Sequence, residues 1–561
     1  MKKRWKIVPV DEKMVTAMAS ATRLGRAACR VLVARGIGTV AEAQAFLAPD
    51  LRGLHDPFLM KEMDKAVARL KEAIRLRERI LIYGDYDADG ICATALLVQN
   101  LDELGGNLSY YVPDRQSEGY GLNKERIRRA HELGAGLIVC VDNGISSHDE
   151  IAFAGELGID VIVADHHEPS GDELPPATAV LDPKRHDCTY PFRDLSAVGV
   201  AMKLYQGLTG ETRGLDLVAL GTIADVVPLL GENRTLVRAG LEEIDARRRT
   251  GIEQLIAVSG LGEMSLSASN VAFQLAPRIN AAGRVGSARM GVQLLLTNSV
   301  QVASEIAGTL DSENKKRRDI ERQIFDQADK ILSESFSRSQ RAIVLADAGW
   351  HPGVIGIAAS RIVERYYRPT ALIALTDTVG KGSARSIKGF DLHSALRSCG
   401  DLLESFGGHR LAAGFTIRKE QIEQFRDRFN RVAAERIAEE NLVPELEIDA
   451  VVGLDEIDDR LVAELDRLRP FGAGNPRPIL ACEGVETVGT VEVLKGAHIK
   501  FGVKQDEVWR AVIGFGMVDL KDAVRSCDRL DIAFAPQINR WRGREQIQLV
   551  LEDLRPSGKT T

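Results

Sequence analysis

The 561-residue sequence predicts an α/β protein: a parallel-sheet domain and a second, smaller α/β domain joined by a long helix, plus a C-terminal β-barrel. Three observations predict it. Short apolar runs alternate with amphipathic helical stretches between residues 80 and 182, the pattern of a parallel sheet with helices on both faces. Residues 301–338, QVASEIAGTLDSENKKRRDIERQIFDQADKILSESFSR, read as one helix whose middle is polar on nearly all sides, as in helices that bridge domains through solvent. Near the C-terminus, runs such as VETVGTVEVLKGAHIKFGVK and REQIQLVLEDLRP alternate with the period of an antiparallel barrel.

Taken in order, the first 50 residues or so read as small helices, with TVAEAQAFLAPD closing on a proline. Met63, Ala66, Val67, Leu70 and Ile74 then recur at helical spacing. The strands of the first sheet are ILIYGD, NLSYYVPD, GLIVCVD, DVIVAD and TAVLDP; ICATALLVQNLDELG, NKERIRRAHELG and SHDEIAFAGELG are helices between them. Near-continuous apolar strands fit a sheet covered on both sides. Residues 197–300 read as mainly helical, and AIVLAD, VIGIAASRIVERYY, TALIAL and GHRLAAGFTI form a second α/β unit. The expected boundaries are 1–60, 61–300, 301–338, 339–445 and 446–561.

A net charge of −7 argues against a generally basic coat protein for nucleic acid, although a local basic groove can coexist with an acidic exterior. The seven cysteines are scattered singly without a CxxC pair, which argues against a disulfide framework or a thiolate zinc site. No apolar run is long enough to span a bilayer, and the N-terminus lacks the apolar stretch of a signal peptide. These features predict a reduced, cytoplasmic protein.

Chemistry concentrates at the strand ends. ILIYGDYDADG places Asp85, Asp87 and Asp89 after the first strand; LIVCVDNGIS ends on Asp142, VIVADHHEP on Asp165 followed by His166 and His167, and ALGTIADVVPL supplies Asp225. In an open parallel sheet, ligands bind outside the carboxyl ends of the strands, so these groups can converge. Any one Asp could instead be a helix N-cap or a turn residue. Gathered without a cation, however, such carboxylates would repel one another and raise each other's pKa. An oxygen-rich set with imidazoles and no thiolates suits Mn²⁺ or Mg²⁺ rather than structural zinc. The number of acids suggests two ions, which at about 3.5–4 Å separation can activate water and clamp a phosphoryl group. The residues thus point to a metal-dependent phosphoesterase.

YGDYDADG, VDNGIS and ADHHEP resemble the motifs of the DHH phosphoesterase superfamily. RINAAGR, WHPGVIGIAASR, GSARS, GGHRLAAGF and RPFGAGNPRP resemble its RecJ-type single-stranded-DNA exonucleases, over nearly the whole chain and in order. The resemblance implies that Asp87 and Asp89 each serve one ion, that Asp85 is a further ligand or orienter, and that Asp142 bridges. It makes His166 and Asp225 ligands of the second ion and completes the triplet with Asp165, a ligand or an orienter of an imidazole. His167 would contact the scissile phosphate or assist protonation. Asp142, His166 and His167 are the implied catalytic residues.

Arg115 and Tyr120 in VPDRQSEGYGL read on their own as a polar loop with a core tyrosine; the resemblance makes them a phosphate clamp and a base-stacking platform. Arg278, Asn280 and Arg284 in APRINAAGRVG read as a phosphate contact. Ser383, Arg385, Ser386 and Lys388, with Gly407, Gly408 and His409, match the DHHA1-type accessory domain, where the resemblance implies that Ser383 and Arg385 capture a terminal 5′ phosphate. His351 and Arg361 read better as a packed residue and a solvated charge. The C-terminal barrel reads as OB-like; Lys495, Lys500, Arg540, Trp541 and Arg542 either line a strand-binding groove or form a solubilising surface.

The resulting expectation is a Mn²⁺- or Mg²⁺-dependent exonuclease that acts 5′ to 3′ on single-stranded DNA and releases mononucleotides in repair and recombination. Water bridging two ions attacks in line, and single-strand selectivity follows from a narrow passage. Its rivals are a phosphodiesterase of the same superfamily acting on cyclic dinucleotides or short oligonucleotides, and a catalytically silent DNA-binding scaffold. Single-stranded-DNA-binding protein and a RecQ-type helicase are family expectations as partners, without a readable docking motif. One chain suffices to form the cleft, so a monomer is expected.

Overall fold

This computed structural model describes residues 3–114, 118–119, 121–169, 171–262, 264–285, 288–337, 339–541 and 544–558. The chain divides into two compact units, Met1–Lys6 with Ser312–Leu446, and Ile7–Asp311 with Glu447–Thr561. A short strand, β1 (Arg4–Ile7), precedes helices α1 (Glu12–Thr22), α2 (Arg26–Ala34) and α3 (Val40–Leu47). Thr39 and Glu42 start α3 with a reciprocal capping box. The three helices share their core with the C-terminal barrel: Val15, Met18, Val31 and Leu32 cluster with Leu461, Val485 and Ile532.

After α4 (Met63–Leu76) come β2 (Arg79–Tyr83), α5 (Ala88–Glu103), β3 (Asn107–Tyr111), α6 (Lys124–Glu132), β4 (Ala135–Val141), α7 (His148–Glu156), β5 (Asp160–Ala164) and β6 (Ala179–Leu181). The sheet order is β3-β2-β4-β5-β6, and every pairing is parallel. Both faces are covered. Ile80 and Ile82 of β2 join one core, with Leu96 of α5, while Leu81 and Tyr83 join the other, with Ile127 of α6 and Ile151 of α7. The chain steps outward from β2 to β3 and then crosses to the far side of β2 for β4. The crevice of this fold class therefore opens at the carboxyl ends of β2 and β4. Helices α8 (Ala197–Thr209), α9 (Leu215–Ala224) and α10 (Gly231–Asp245) extend this layer.

The helix expected at 301–338 spans Val300–Ser335. Its middle is less solvated than the sequence suggested: Asp311 and Asn314 are buried. The smaller unit carries β7 (Ile343–Asp347), β8 (Thr370–Leu375), β9 (Val379–Arg385), β10 (Leu403–Gly408) and β11 (Ala412–Arg418) in the order β10-β11-β9-β8-β7, with β7–β8 the parallel pair. Strand β12 (Glu445–Ile448) pairs with β1.

The C-terminal domain holds β13 (Ala450–Val451), β14 (Leu480–Leu494), β15 (His498–Gln505), β16 (Val508–Gly514), β17 (Arg529–Trp541) and β18 (Arg544–Pro556). The β14–β17 pairing closes the run β14-β15-β16-β18-β17 into a five-stranded barrel. It is not wholly antiparallel. β16 and β18 run parallel because a helix and β17 intervene, which makes their connection a crossover rather than a hairpin. All seven cysteines are free thiols.

Candidate metal centre

Each strand end delivers its acid by a different local device. After β2 the chain turns into α5 with Asp87 as N-cap, its carboxylate accepting from the backbone N–H of Asp89 at 2.9 Å and Gly90 at 3.2 Å. The helix-cap role weighed for these acids is thus real at Asp87 and coexists with its place in the cluster. Asp89, buried in the first turn of α5, accepts from Ala197 N–H at 2.7 Å and Val198 N–H at 3.0 Å, the positive end of α8. Gly221 on α9 makes room for it: a Cβ there would stand 2.7 Å from Asp89 Oδ1. Asp142 follows β4 with φ of 64°, a left-handed conformation uncommon outside glycine. The next residue, Asn143, donates Nδ2–H to Tyr83 O and Val141 O and so fastens the ends of β2 and β4 together. Asp225 caps the C-terminal end of α9 and is followed by Val226 at φ 61°.

These residues meet. Ligand atoms lie within 4.8 Å of one another in three overlapping groups: Asp85, Asp87 and Asp142; Asp142, His166 and His167; and Asp89, His166 and Asp225. His166 Nε2 is 3.3 Å from Asp142 Oδ1 and 3.6 Å from Asp225 Oδ2. Burial, then the neighbouring charges of Asp87, Asp89, Asp85 and Asp225, push the Asp142 carboxyl well above the usual range. Burial, Asp225 and Asp87 do the same to Asp89, and burial with Asp87 lifts Asp225 to about 7. Burial and the adjacent His167 hold His166 down to about 3, a neutral imidazole at neutral pH. A buried set of mutually repelling carboxylates around a neutral imidazole, with no thiolate in the groups, is the donor chemistry of oxygen-preferring divalent cations such as Mn²⁺ and Mg²⁺.

Asp165, expected as a ligand or an orienter, stands outside these groups, and its contacts are those of an orienter. Its oxygens accept from Ile145 N–H at 3.1 Å, His166 N–H at 2.7 Å and His167 N–H at 3.2 Å, and its Oδ1 is 2.7 Å from His167 Nδ1. Burial alone would raise this carboxyl, but the His167 hydrogen bond, the two imidazoles and the backbone donors bring it to about 2. In return, and against the effect of burial, Asp165 lifts His167 to about 9. His167 therefore carries a proton at neutral pH beside a neutral His166. One strand-end acid escaped the sequence reading. Asp182 follows β6 beside Asp165, is fully buried, and is raised to about 7 by burial and the Asp165 charge. Its signal was the same apolar-run-then-Asp pattern, in TAVLDP.

The remaining candidates divide. Arg278 is buried, and its Nε and Nη2 reach Asp311 Oδ1 at 3.0 and 2.9 Å. Asn280 accepts the Ala88 N–H at 2.8 Å through Oδ1 and so supports the start of α5 between Asp87 and Asp89. Arg115, Tyr120 and the side chain of Arg284 lie outside the described residues, as do the side chains of Arg540, Trp541 and Arg542. In the smaller unit, Arg385 Nη1 donates to Ser383 Oγ at 3.1 Å on β9, and the tight approach of Gly356 explains why a glycine stands there: a Cβ would be 2.8 Å from both side chains. His409 is exposed in the β10–β11 turn. His351 Nδ1 accepts from Gly353 N–H, the packed role expected of it, whereas Arg361, expected as a solvated charge, stacks on Phe325 beside Glu321. Lys500 is exposed on β15, and Lys495 is exposed in the β14–β15 turn at φ 49°.

Comparison with known proteins agrees with this geometry. Residues 79–222 match the DHH family, N-terminal domain; residues 339–435 match the DHHA1 domain; residues 448–553 match the RecJ OB domain. The single-stranded-DNA-specific exonuclease RecJ of Bacillus subtilis is 40% identical over 558 residues, covering 98% of this chain and 71% of that protein. The crystal structure of RecJ with Mn²⁺ from Thermus thermophilus superposes with a TM-score of 0.85 at 32% identity, covering 100% of this chain and 81% of that one. The same protein with Mg²⁺ gives 0.80 at 30% identity, covering 99% and 79%. The chain belongs to the RecJ family of single-stranded-DNA-specific exonucleases.

Proposed function

We propose that this chain hydrolyses the phosphodiester bonds of single-stranded DNA from the 5′ end and releases 5′-mononucleotides in DNA repair and recombination, using two divalent cations, Mn²⁺ or Mg²⁺. Family membership supports the activity and its direction. The observation that carries the residue roles is the convergence of Asp85, Asp87, Asp89, Asp142, His166 and Asp225, from separate strand and helix ends, into groups of ligand atoms within 4.8 Å.

Asp87 and Asp85 would hold one cation and His166, Asp89 and Asp225 the other, with Asp142 shared. When bound, the pair supplies Lewis acidity at the phosphoryl oxygens, a more acidic water, and compensation of the transition-state charge. The protein supplies the rest. His166, neutral to about 3, offers an imidazole lone pair without first losing a proton. His167, held by Asp165 at 2.7 Å, presents its other nitrogen with a proton retained to about 9, a cationic donor suited to a non-bridging phosphate oxygen or the leaving 3′ oxygen. Ser383 and Arg385, already joined at 3.1 Å, form an anion-binding pair for the terminal 5′ phosphate, with His409 nearby in the chain fold. Arg115 and Tyr120 retain the phosphate-clamp and base-stacking roles that the family likeness implies.

The test is digestion of end-labelled strands. A 5′-labelled single strand should yield labelled mononucleotide from the first moments with Mn²⁺ or Mg²⁺, a blunt duplex should resist, and chelator should stop the reaction. Preferential turnover of a dinucleotide would favour the small-substrate phosphodiesterase instead. We place the work in the cytoplasm, as a monomer, with single-stranded-DNA-binding protein and a RecQ-type helicase as partners; co-sedimentation with each purified protein checks this. Among the described residues, no helix is long and apolar enough to cross a membrane.

A further inference from the structure

Beside the metal centre lies a feature that the residue roles above do not use. Directly after Asp225, Val226 and Val227 form one wall of an apolar pocket of about 400 Å³, which Leu229, Phe273 and Phe471 continue. That volume is within the range of small-molecule sites. Two side chains stand out of the surface without apolar cover: Phe273 is 80% exposed and Val226 68% exposed. Both are held there by unusual backbone. Phe273 sits in a wide π-type turn, Val271–Leu275, a rare geometry that is frequent at functional sites. Val226 is a β-branched residue in the left-handed region at φ 61°, a conformation that persists only where the surroundings impose it.

The pocket has a direction. Its far wall, Phe471, is shared with a second cavity of about 540 Å³ that reaches the barrel and is lined by Arg238, Arg467, Arg469 and Arg477. Arg469 stacks over the Phe471 ring at 5.8 Å while paired with Asp466. Arg477 is half-buried, and burial lowers its pKa; its Nη2 donates to Pro536 O at 3.4 Å and Gln537 Oε1 at 3.1 Å, with no carboxylate in ion-pair range among the described residues. The cavity also holds Glu242 and Asp245, the latter bonded to Ser265 and to Leu266 N–H. From the metal ligand outward, the surface therefore runs from apolar and aromatic to guanidinium-lined.

We propose that this surface is a subsite for the single-stranded substrate downstream of the cut. Phe273 stacks one base against the Val226 wall, and Arg477 with Arg469 holds a phosphate of the next nucleotides on the way to the barrel. The inference rests on the exonuclease reading. A strand whose 5′ end is at the metal centre must lead its 3′ portion away from it, and this surface begins at the ligand Asp225. Stacking on an aromatic face together with a cationic groove accepts every base, as an enzyme that degrades any sequence requires.

The test uses the full chain with Mn²⁺ and 5′-phosphorylated strands that carry one abasic site at successive positions. In the wild type, an abasic site at one downstream position lowers kcat/KM by about 5- to 150-fold, the range of one base–aromatic stack. Phe273→Ala lowers kcat/KM by a similar factor on the intact strand and adds little further loss at that position, while Phe273→Trp restores both rate and sensitivity. Arg477→Ala reduces the slope of log affinity against log salt by about 0.7. Because Phe273 is largely exposed, an unchanged Tm verifies that the Ala variant is folded. A wild-type rate for Phe273→Ala, or the same abasic profile in variant and wild type, overturns the subsite. A wild-type chain that leaves every strand intact with Mn²⁺ overturns the exonuclease reading instead.

Discussion

Divalent-cation affinity is expected to rise steeply between pH 5 and pH 7, and to do so through carboxylates rather than imidazole. In an ordinary Asp/His site the acids are ionised by pH 5, and the histidine, near 6.5, sets the pH dependence. Here the order is inverted. His166 is held down to about 3 by burial and by His167, so it is already neutral at pH 5. Asp225 is lifted to about 7 by burial and Asp87, so at pH 5 the cation must displace its proton. The affinity lost to that one proton is about tenfold per pH unit below 7, hence about 100-fold, or about 2.7 kcal/mol, at pH 5. Asp89 and Asp142, both pushed up by burial and by their neighbours, act in the same direction, so the loss from Asp225 alone is a lower bound. Titration calorimetry with Mn²⁺ in buffers of different ionisation enthalpy reads both quantities at once. It should show at least one proton released near pH 6, and a Kd that falls by at least about two orders of magnitude from pH 5 to pH 7. Affinity that is flat over this range, or proton release centred on 6.5 and abolished by His166→Asn alone, would refute the reasoning.

Further outcomes test other parts of the account. Asp165→Asn removes the carboxylate 2.7 Å from His167 Nδ1, so the His167 titration seen by NMR should drop from about 9 towards 6.5 and kcat should fall by about 10- to 100-fold, with Mn²⁺ binding retained. Asp142→Ala should lower nuclease activity by at least ~100-fold, yet leave the Tm of the metal-free protein unchanged or higher, because one of several repelling buried carboxylates is gone. Arg278→Ala should cost about 1.5–3 kcal/mol of stability by removing a guanidinium donor from the buried Asp311 carboxylate, whereas a direct phosphate contact would instead alter the salt dependence of DNA binding. Asn280→Ala, which removes the acceptor for Ala88 N–H, should weaken Mn²⁺ binding by about tenfold in the same calorimetric assay.

What the sequence made legible is local. The change of period from 3.6 to 2 and back set out β2 to β6 and the helices between them, and an acid closing each apolar run pointed at the crevice. Contacts between distant segments were not legible. Nothing in RWKI foretells that β1 pairs with β12 some 440 residues later, and nothing in the first helices foretells that Met18 shares a core with Val485 of the barrel. The partner of Arg278 was equally illegible. A glycine- and alanine-rich stretch with two arginines suggests an anion site, and only the fold shows that Asp311, in the middle of the long polar helix, occupies the guanidinium. Asp165 was ambiguous for a related reason. A strand-end carboxylate looks alike whether it faces a cation or the backbone N–H groups and imidazole of its own turn, and the three backbone donors decide it. Asp182 obeyed the rule used for its neighbours but was read only as a strand terminus.

The most direct test of the central claim is anomalous diffraction from crystals grown with Mn²⁺, collected at the manganese edge. Two peaks are predicted, both within the cluster of Asp85, Asp87, Asp89, Asp142, His166 and Asp225, with Asp142 in contact with each and Asp165 with neither. Peaks seated elsewhere, or a cluster empty at saturating Mn²⁺ and pH 8, would contradict it.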